Sequence, residues 1–332
     1  MRIGVFGVGA VGGYVGGCLA ASGAEVVLVG RAPRMAALRR DGLWLTDLDG
    51  RDSRTRAFVA SDDPRALAGC TLILVTVKSA ATGEASRTLA PVLAPGTTVL
   101  SLQNGLRNAA RLAWTLPRVE VLAGMVPFNL VTGPDGRHHR ATSGRIAVDI
   151  RAARFAPIFA RAGLPLELRT DMEAVLWGKL LLNLNNAVNA LSGLPLRAEL
   201  AQRDYRRALA LAQTEALALL RAEGRVRPAQ LTPLPPGLLP RLLALPDPLF
   251  RRLAGAMLRI DPTARSSMTD DLDAGRASEI DWINGEVVAL AGRLDRQAPV
   301  NARLCALIRA GHRPIAAAAL LAELRKAAAA RP

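Results

Sequence analysis

The sequence predicts an α/β fold in which an N-terminal doubly wound sheet precedes an all-helical C-terminal domain, and three observations predict it. Short apolar strands alternate with helical stretches through the first half of the 332-residue chain, the pattern that builds a parallel sheet. A glycine pattern, Gly7-Val8-Gly9-Ala10-Val11-Gly12, stands where the first strand gives way to the first helix. After Thr170 the strands stop and amphipathic helices take over. A chain of this length needs more than one core, and the expected division is residues 1–169 and residues 170–332.

Arg2 to Phe6 is the first strand, and the helix after the glycines runs to Ala21. In a G-x-G-x-x-G sequence the first glycine permits the tight turn and the second lets a pyrophosphate approach the backbone. The third lets the helix pack close to the strand. The helix start then offers N–H groups to phosphate. Residues 1–169 are therefore expected to form a Rossmann-like nucleotide domain. Glu25 to Val29 is its second strand. An acidic residue at the end of that strand would hold the ribose hydroxyls of NAD, but here stand Gly30-Arg31, with Arg34 close behind. An arginine can pair with a 2′-phosphate, so NADPH/NADP is the expected cofactor.

Leu43 to Thr46 and Thr55 to Val59 flank Asp47-Leu48-Asp49-Gly50 and read as a hairpin inserted into the parallel pattern. Asp62-Asp63-Pro64 reads as a helix start. Thr71 to Val77 is a continuous apolar strand, as expected where both faces are buried, and it ends in Lys78. Ligands of open α/β sheets bind at that edge, which places Lys78 at the cofactor. Thr97 to Leu102 runs into Gln103-Asn104-Gly105. Asn-Gly is first a turn signal, and its position gives Asn104 a second use at the nicotinamide or the substrate. Val119 to Gly124 and the exit loop Met125-Val126-Pro127-Phe128-Asn129 close the series. Arg145 to Ile150 and Leu166 to Leu168 are expected as edge strands, with a helix from Phe155 to Ala162 between them. His138 and His139 are read as exposed residues of a Gly-Pro-Asp-Gly loop, and no metal site is expected.

The second half is organised around Leu176 to Leu191, which reads as one helix with apolar residues at Leu176, Leu180, Leu184, Ala187 and Leu191. Lys179, Asn183 and Asn186, at i, i+4 and i+7, share another face. Only three of the 43 basic residues are lysines, Lys78, Lys179 and Lys326. Where arginine serves almost everywhere, a lysine suggests a task arginine cannot do, since an ammonium can give up a proton and a guanidinium cannot. Further helices are expected over Asp204 to Glu223, Ile280 to Leu294 and Ala302 to Arg309, with the proline-rich stretch Pro228 to Pro248 breaking any long helix. A polar cluster, Ser266-Ser267-Met268-Thr269-Asp270-Asp271, precedes Ser278-Glu279. Ser278 is expected to cap the helix that follows, with Glu279 in its first turn.

The formal charge of +15 would suit a nucleic-acid binder, but the arginines are spread through nearly every helix and aromatics make up only 4% of residues, too few for stacking platforms. No nucleic-acid or membrane partner is expected. The same charge can draw in a small anionic substrate. Three scattered cysteines and a start that runs straight into the first strand suggest a cytoplasmic protein without a cleaved signal. A homodimer is the one assembly left open.

Taken together, GVGAVG, Arg31, Val77-Lys78, Gln103-Asn104-Gly105, Trp177-Gly178-Lys179-Leu180 with Asn183, Ser266-Ser267-Met268 and Glu279-Ile280-Asp281-Trp282-Ile283-Asn284-Gly285 resemble the ketopantoate reductase family, the 2-dehydropantoate 2-reductases. The resemblance implies NADPH-dependent reduction of ketopantoate to pantoate, a step toward pantothenate. It implies the glycine loop, Arg31 and Lys78 at the cofactor, with residues 170–332 carrying substrate and catalytic groups. It also implies Lys179 as general acid, with Asn104, Asn183, Ser267 and Glu279 around the substrate. Where the family usually has a second asparagine on the lysine helix this chain has Ala187, leaving Asn186 and Asn189 as alternatives. The exit loop Met125 to Asn129 also departs from a family loop that is often threonine-rich. Reduction of another small 2-oxo acid, or a non-catalytic NADPH-binding regulator, stays open at this stage.

Overall fold

The computed structural model describes residues 1–133, 135–255, 264–311 and 313–330, and falls into two compact units, Met1–Met172 and Glu173–Pro332. In the first unit eight strands form one sheet: β1 (Arg2–Phe6), β2 (Glu25–Val29), β5 (Phe58–Ser61), β6 (Leu72–Val75), β7 (Thr98–Ser101), β8 (Glu120–Met125), β11 (Ile146–Asp149) and β12 (Leu166–Arg169). Their order is β12-β11-β8-β7-β6-β1-β2-β5, parallel from β5 to β8. β11 runs antiparallel to β8, and β12 follows it in parallel. The strand order reverses between β1 and β6, and this switch point is where an open sheet of this kind leaves a crevice at its carboxyl edge.

Alternation along the strands divides the core between the two faces. Ile3, Val5, Leu28, Leu72, Leu74 and Leu100 join one cluster with α1 (Ala10–Ala21), whereas Val27, Val29, Ile73, Val75 and Val99 join Leu89 and Leu112 on the other. Leu89 and Leu112 come from α3 (Thr82–Leu89) and α4 (Asn108–Thr115), and α2 (Ala32–Asp41) follows β2. The Asp62-Asp63-Pro64 signal is a 3₁₀ turn, Pro64–Leu67, capped by the Asp63 carboxylate on the Arg65 N–H.

The expected hairpin is present as β3 (Leu43–Asp47) and β4 (Asp52–Thr55), but it belongs to a separate four-stranded sheet, β4-β3-β10-β9. The segment expected to extend that hairpin to Val59 leaves it and becomes β5, beside β2. Strand β10 (Arg137–Arg140) holds the two histidines read as exposed loop residues; it pairs with β9 (Leu130–Thr132), on which no element was expected, and in parallel with β3. His138 is therefore fully buried rather than exposed. The turn signal fixed where the chain reverses, not the partner it meets ninety residues away in sequence. Pro134 of that loop lies outside the described residues. The small sheet packs on α1, and β11 leads through a short 3₁₀ turn to α5 (Ala156–Arg161).

The second unit holds helices only among its described residues. The segment read as one helix from Leu176 to Leu191 is two, α6 (Met172–Asn183) and α7 (Asn185–Ser192), joined at Leu184. The Gln213 side-chain amide donates to the Leu181 carbonyl (3.1 Å), one of the carbonyls left short where α6 ends, and this partner stabilises the break. Next come α8 (Leu196–Ala201) and α9 (Arg203–Glu223), then the proline-rich stretch with α10 (Leu239–Leu243) and α11 (Asp247–Leu253). A fully buried Arg206 on α9 clamps that stretch, donating to the carbonyls of Leu200, Leu243 and Leu245 and to Asp247. The chain ends with α12 (Ser267–Asp273), α13 (Asn284–Arg293), α14 (Pro299–Arg309) and α15 (Ala317–Ala329). No helix among the described residues is long and apolar enough to cross a membrane.

Candidate functional site

At the carboxyl edge of β1 the glycines divide their tasks as the motif requires. Gly7 has φ +100°, and a Cβ on it would lie 2.5 Å from Val77 Cγ1, so the turn and the neighbouring strand exit both demand glycine. A Cβ at Gly12 would lie 2.2 Å from the Gly7 carbonyl, which is the close helix approach. Nothing lies within 4 Å of a Cβ placed at Gly9, so the backbone there is open to a ligand. Gly9 is the N-cap of α1, no side chain caps that end, and the first turn has no acidic residue. The turn thus offers uncompensated N–H groups to an anion. Val8 is buried beneath it, and Ala10 and Val11 open the helix half-exposed.

The basic residues stand around this turn. Arg31 is exposed at the N-cap of α2, where β2 ends. Lys78 is exposed just beyond the exit of β6, on the segment whose Val77 touches Gly7. Asn104 follows β7, and its backbone carbonyl accepts hydrogen bonds from Ser79 Oγ (2.7 Å) and from the Asn108 amide. Asn108 also donates to Ser79 Oγ and accepts from Thr82, while the buried Gln103 amide ties the Val77 carbonyl to Thr82. This web sets the Asn104 loop against the end of β6, and the sequence did not reveal it, because Ser79, Thr82 and Asn108 lie in stretches with no motif of their own. The residues fit a dinucleotide: a glycine cradle free of Cβ atoms, a helix end open to phosphate, and cations at the ends of β2 and β6.

In the second unit Lys179, Asn183 and Asn186 are half-buried along one side of α6 and α7, while Val175, Leu180, Leu184 and Leu191 fill the core. Burial of the Lys179 ammonium lowers its pKa from an ordinary 10.5 to about 8. The glycine before it has a packing cause, because a Cβ on Gly178 would lie 2.5 Å from the Ala229 carbonyl, where the chain from Ala229 to Leu231 crosses α6. The Ala229 N–H donates to the Ala174 carbonyl and holds this crossing in place.

Helix α12 is fastened to α7 at its N-terminus. Ser266 caps it, accepting from the Thr269 N–H and donating to the Asn186 carbonyl (3.3 Å). Asn189, fully buried, accepts from the Ser266 N–H (2.9 Å) and the Thr269 hydroxyl (2.8 Å). Its amide donates to the Leu194 carbonyl and to Glu199 (3.0 Å). Every polar atom of Asn189 is committed to this clamp, whereas the Asn186 side chain stays at the half-exposed face beside Asn183. Ser267 is exposed as the first residue of α12. Glu279 is buried and stands at the cap position of a 3₁₀ turn, Ile280–Trp282, that packs on α13 and α14. Ser278 caps no helix, contrary to expectation, because Ile283 departs from helical geometry (φ −117°, ψ −86°) and α13 starts only at Asn284. Among the described residues no group of three His, Cys, Asp or Glu side chains could hold a metal ion.

Two family models match the chain, one described as ketopantoate reductase PanE/ApbA over residues 3–152 and one as ketopantoate reductase PanE/ApbA C terminal over residues 171–312. A 2-dehydropantoate 2-reductase of Halobacterium salinarum is 31% identical over 322 residues, covering 94% of this chain and 99% of its own length. Among solved structures, a PanE/ApbA family ketopantoate reductase from Ralstonia eutropha is similar with a TM-score of 0.80 at 32% identity, covering 98% of this chain and 100% of its own. A D-mandelate dehydrogenase solved with NADH and anilino(oxo)acetate shares the fold, with a TM-score of 0.77 at 18% identity and coverage of 98% and 100%.

Proposed function

The chain belongs to the ketopantoate reductase family, and on that premise we propose that it is an NADPH-dependent 2-dehydropantoate 2-reductase with Lys179 as its general acid. It is an oxidoreductase of a pyridine-nucleotide family, with a small 2-oxo acid as the substrate class. The proposal assigns nucleotide binding to residues 1–169, through Gly7, Gly9, Gly12, Arg31 and Lys78, and substrate and proton chemistry to residues 170–332. When bound, NADPH supplies the hydride that adds to the keto carbon. As that bond forms the carbonyl oxygen gains negative charge, and the Lys179 ammonium both stabilises it and delivers the proton that makes the hydroxyl. The neutral amine left behind regains a proton from solvent, so the balance is one hydride and one proton per ketone reduced.

Lys179 is the observation that supports this reading best. It is one of three lysines in a chain with 43 basic residues, its ammonium is buried, and its pKa of about 8 is matched to proton donation near neutrality. Asn183 and Asn186 beside it offer amides to the substrate, with Asn104 a further amide. The exposed Ser267 hydroxyl offers a donor to its carboxylate, and Glu279 an acceptor for its hydroxyl. The α7–α12 clamp through Asn189 supports Asn186, rather than Asn189, as the second amide.

The test is NADPH oxidation with 2-dehydropantoate, set against a panel of other small 2-oxo acids and against NADH. The expected result is preference for 2-dehydropantoate and NADPH, with Lys179→Ala inactive while the nucleotide still binds. Turnover by Lys179→Ala at the normal rate would remove the proposed acid, and equal rates across the panel would reject the named substrate.

A further inference from the structure

We propose that His138 is a positioning residue for nucleotide choice: from the small sheet it fixes the Arg34 guanidinium beside the start of α1, where Arg34 joins Arg31 in pairing with a 2′-phosphate. The inference deepens the NADPH reading and rests on it.

Arg34 lies in the first turn of α2, three residues after Arg31, at the end of β2 where this fold receives the adenosine ribose. Its Nη2 is 2.6 Å from His138 Nε2. A guanidinium only donates, so this nitrogen accepts, and the imidazole is the neutral tautomer with its proton on Nδ1, which faces Thr132 Oγ1 at 3.4 Å. The ring packs tightly against the helix that follows the glycine motif: a Cβ at Gly13 would fall 2.3 Å from Cε1 and 2.7 Å from Nε2. Burial first, and the Arg34 charge second, bring the His138 pKa down to about 4, against a smaller opposing effect of the Ala10 backbone, so the acceptor persists at neutral pH.

What points to an anionic ligand is the company Arg34 keeps. On the small sheet and its turn, Arg51 and Arg140 both reach Asp47. No carboxylate among the described residues pairs with half-buried Arg34, and a neutral ring holds it instead. Burying a cation without a counter-charge is costly, and a phosphate delivered by a ligand removes that cost. The neutral imidazole orients the fork without consuming its charge.

The experiment is calorimetric titration of the full chain with NADP⁺ and NAD⁺, and with adenosine 2′,5′-bisphosphate against 5′-AMP. Arg34→Met and His138→Ala should each weaken binding of the 2′-phosphorylated ligands by about tenfold while NAD⁺ and 5′-AMP change by less than about twofold. The two effects should not add, because Arg34→Met has little left to remove once His138 is gone. His138→Gln, which keeps an acceptor, should recover part of the loss. If His138→Ala does not fold, the same cycle is run with His138→Gln, whose smaller loss must likewise vanish when Arg34 is Met. Unchanged discrimination in Arg34→Met, or additive losses, would overturn the role of His138 while leaving the NADPH reading standing. A wild-type chain that binds NAD⁺ as tightly as NADP⁺ would overturn both.

Discussion

The Lys179 ammonium differs from the chain's many guanidiniums in being able to let its proton go, and its pH dependence follows from that. With a pKa of about 8 it is mostly charged at pH 7, the form that reduction needs. The rate of keto-acid reduction should therefore be flat through neutrality and fall about tenfold per pH unit well above pH 8, while the reverse oxidation, which needs the neutral amine, should rise over the same range. Initial rates in both directions from pH 6 to 10 check this. Lys179→Arg keeps the charge but cannot release a proton, so its turnover should drop by roughly 10²- to 10⁴-fold with nucleotide affinity preserved. Lys179 was legible in the sequence because lysine is rare there. His138 was not: the neighbouring turn residues indicate a chain reversal, and only the pairing of β10 with β3 shows that the ring is buried against Gly13.

Helices α7, α8 and α12 act as a unit through Asn189 and Glu199. Burial raises the Glu199 carboxyl from an ordinary 4.5 to about 8, against the opposing bonds from Asn189 and Asn185, so the native protein carries a neutral acid there at pH 7. The folded chain thus holds a proton that the unfolded chain releases above about pH 4.5, and the stability this gives is complete below that value and lost as pH rises through 8. Melting curves of wild type and Glu199→Gln should diverge accordingly, the wild type losing roughly 5 °C or more relative to the variant between pH 5 and 8. At Gly178 the issue is steric. Gly178→Ala gains about 1 kcal/mol of helix propensity but drives a methyl into the Ala229 carbonyl, and the expected net result is a loss of about 1 to 2 kcal/mol, read from chemical denaturation. Periodicity identified the buried and half-buried sides of this region, Lys179 with Asn183 and Asn186 on the latter. It could not foresee the break at Leu184, because the Gln213 amide that stabilises it comes from another helix.

Across the whole chain, the alternation of strands and helices made the parallel sheet legible, because each strand carries its own apolar signature, whereas the order of the strands and the switch between β1 and β6 came only with the structure. The small sheet was not legible as a unit, since β3 and β10 are some ninety residues apart and neither is long or apolar enough to announce a partner. The net charge of +15 belongs to the same scale. Many arginines are neutralised locally, as Arg51 and Arg140 are by Asp47 and Asp49, yet the excess remains and both proposed ligands are anions. A field of that sign should speed their encounter at low salt and be screened as the Debye length contracts from about 14 Å at 0.05 M to about 4 Å at 0.5 M. The kcat/KM for NADPH and for the keto acid should therefore fall several-fold over that range of KCl while kcat stays nearly constant, since the proton and hydride steps take place among groups already in contact. If kcat fell instead and kcat/KM did not, salt would be acting on the folded catalytic groups, and the long-range charge would have no part in capture.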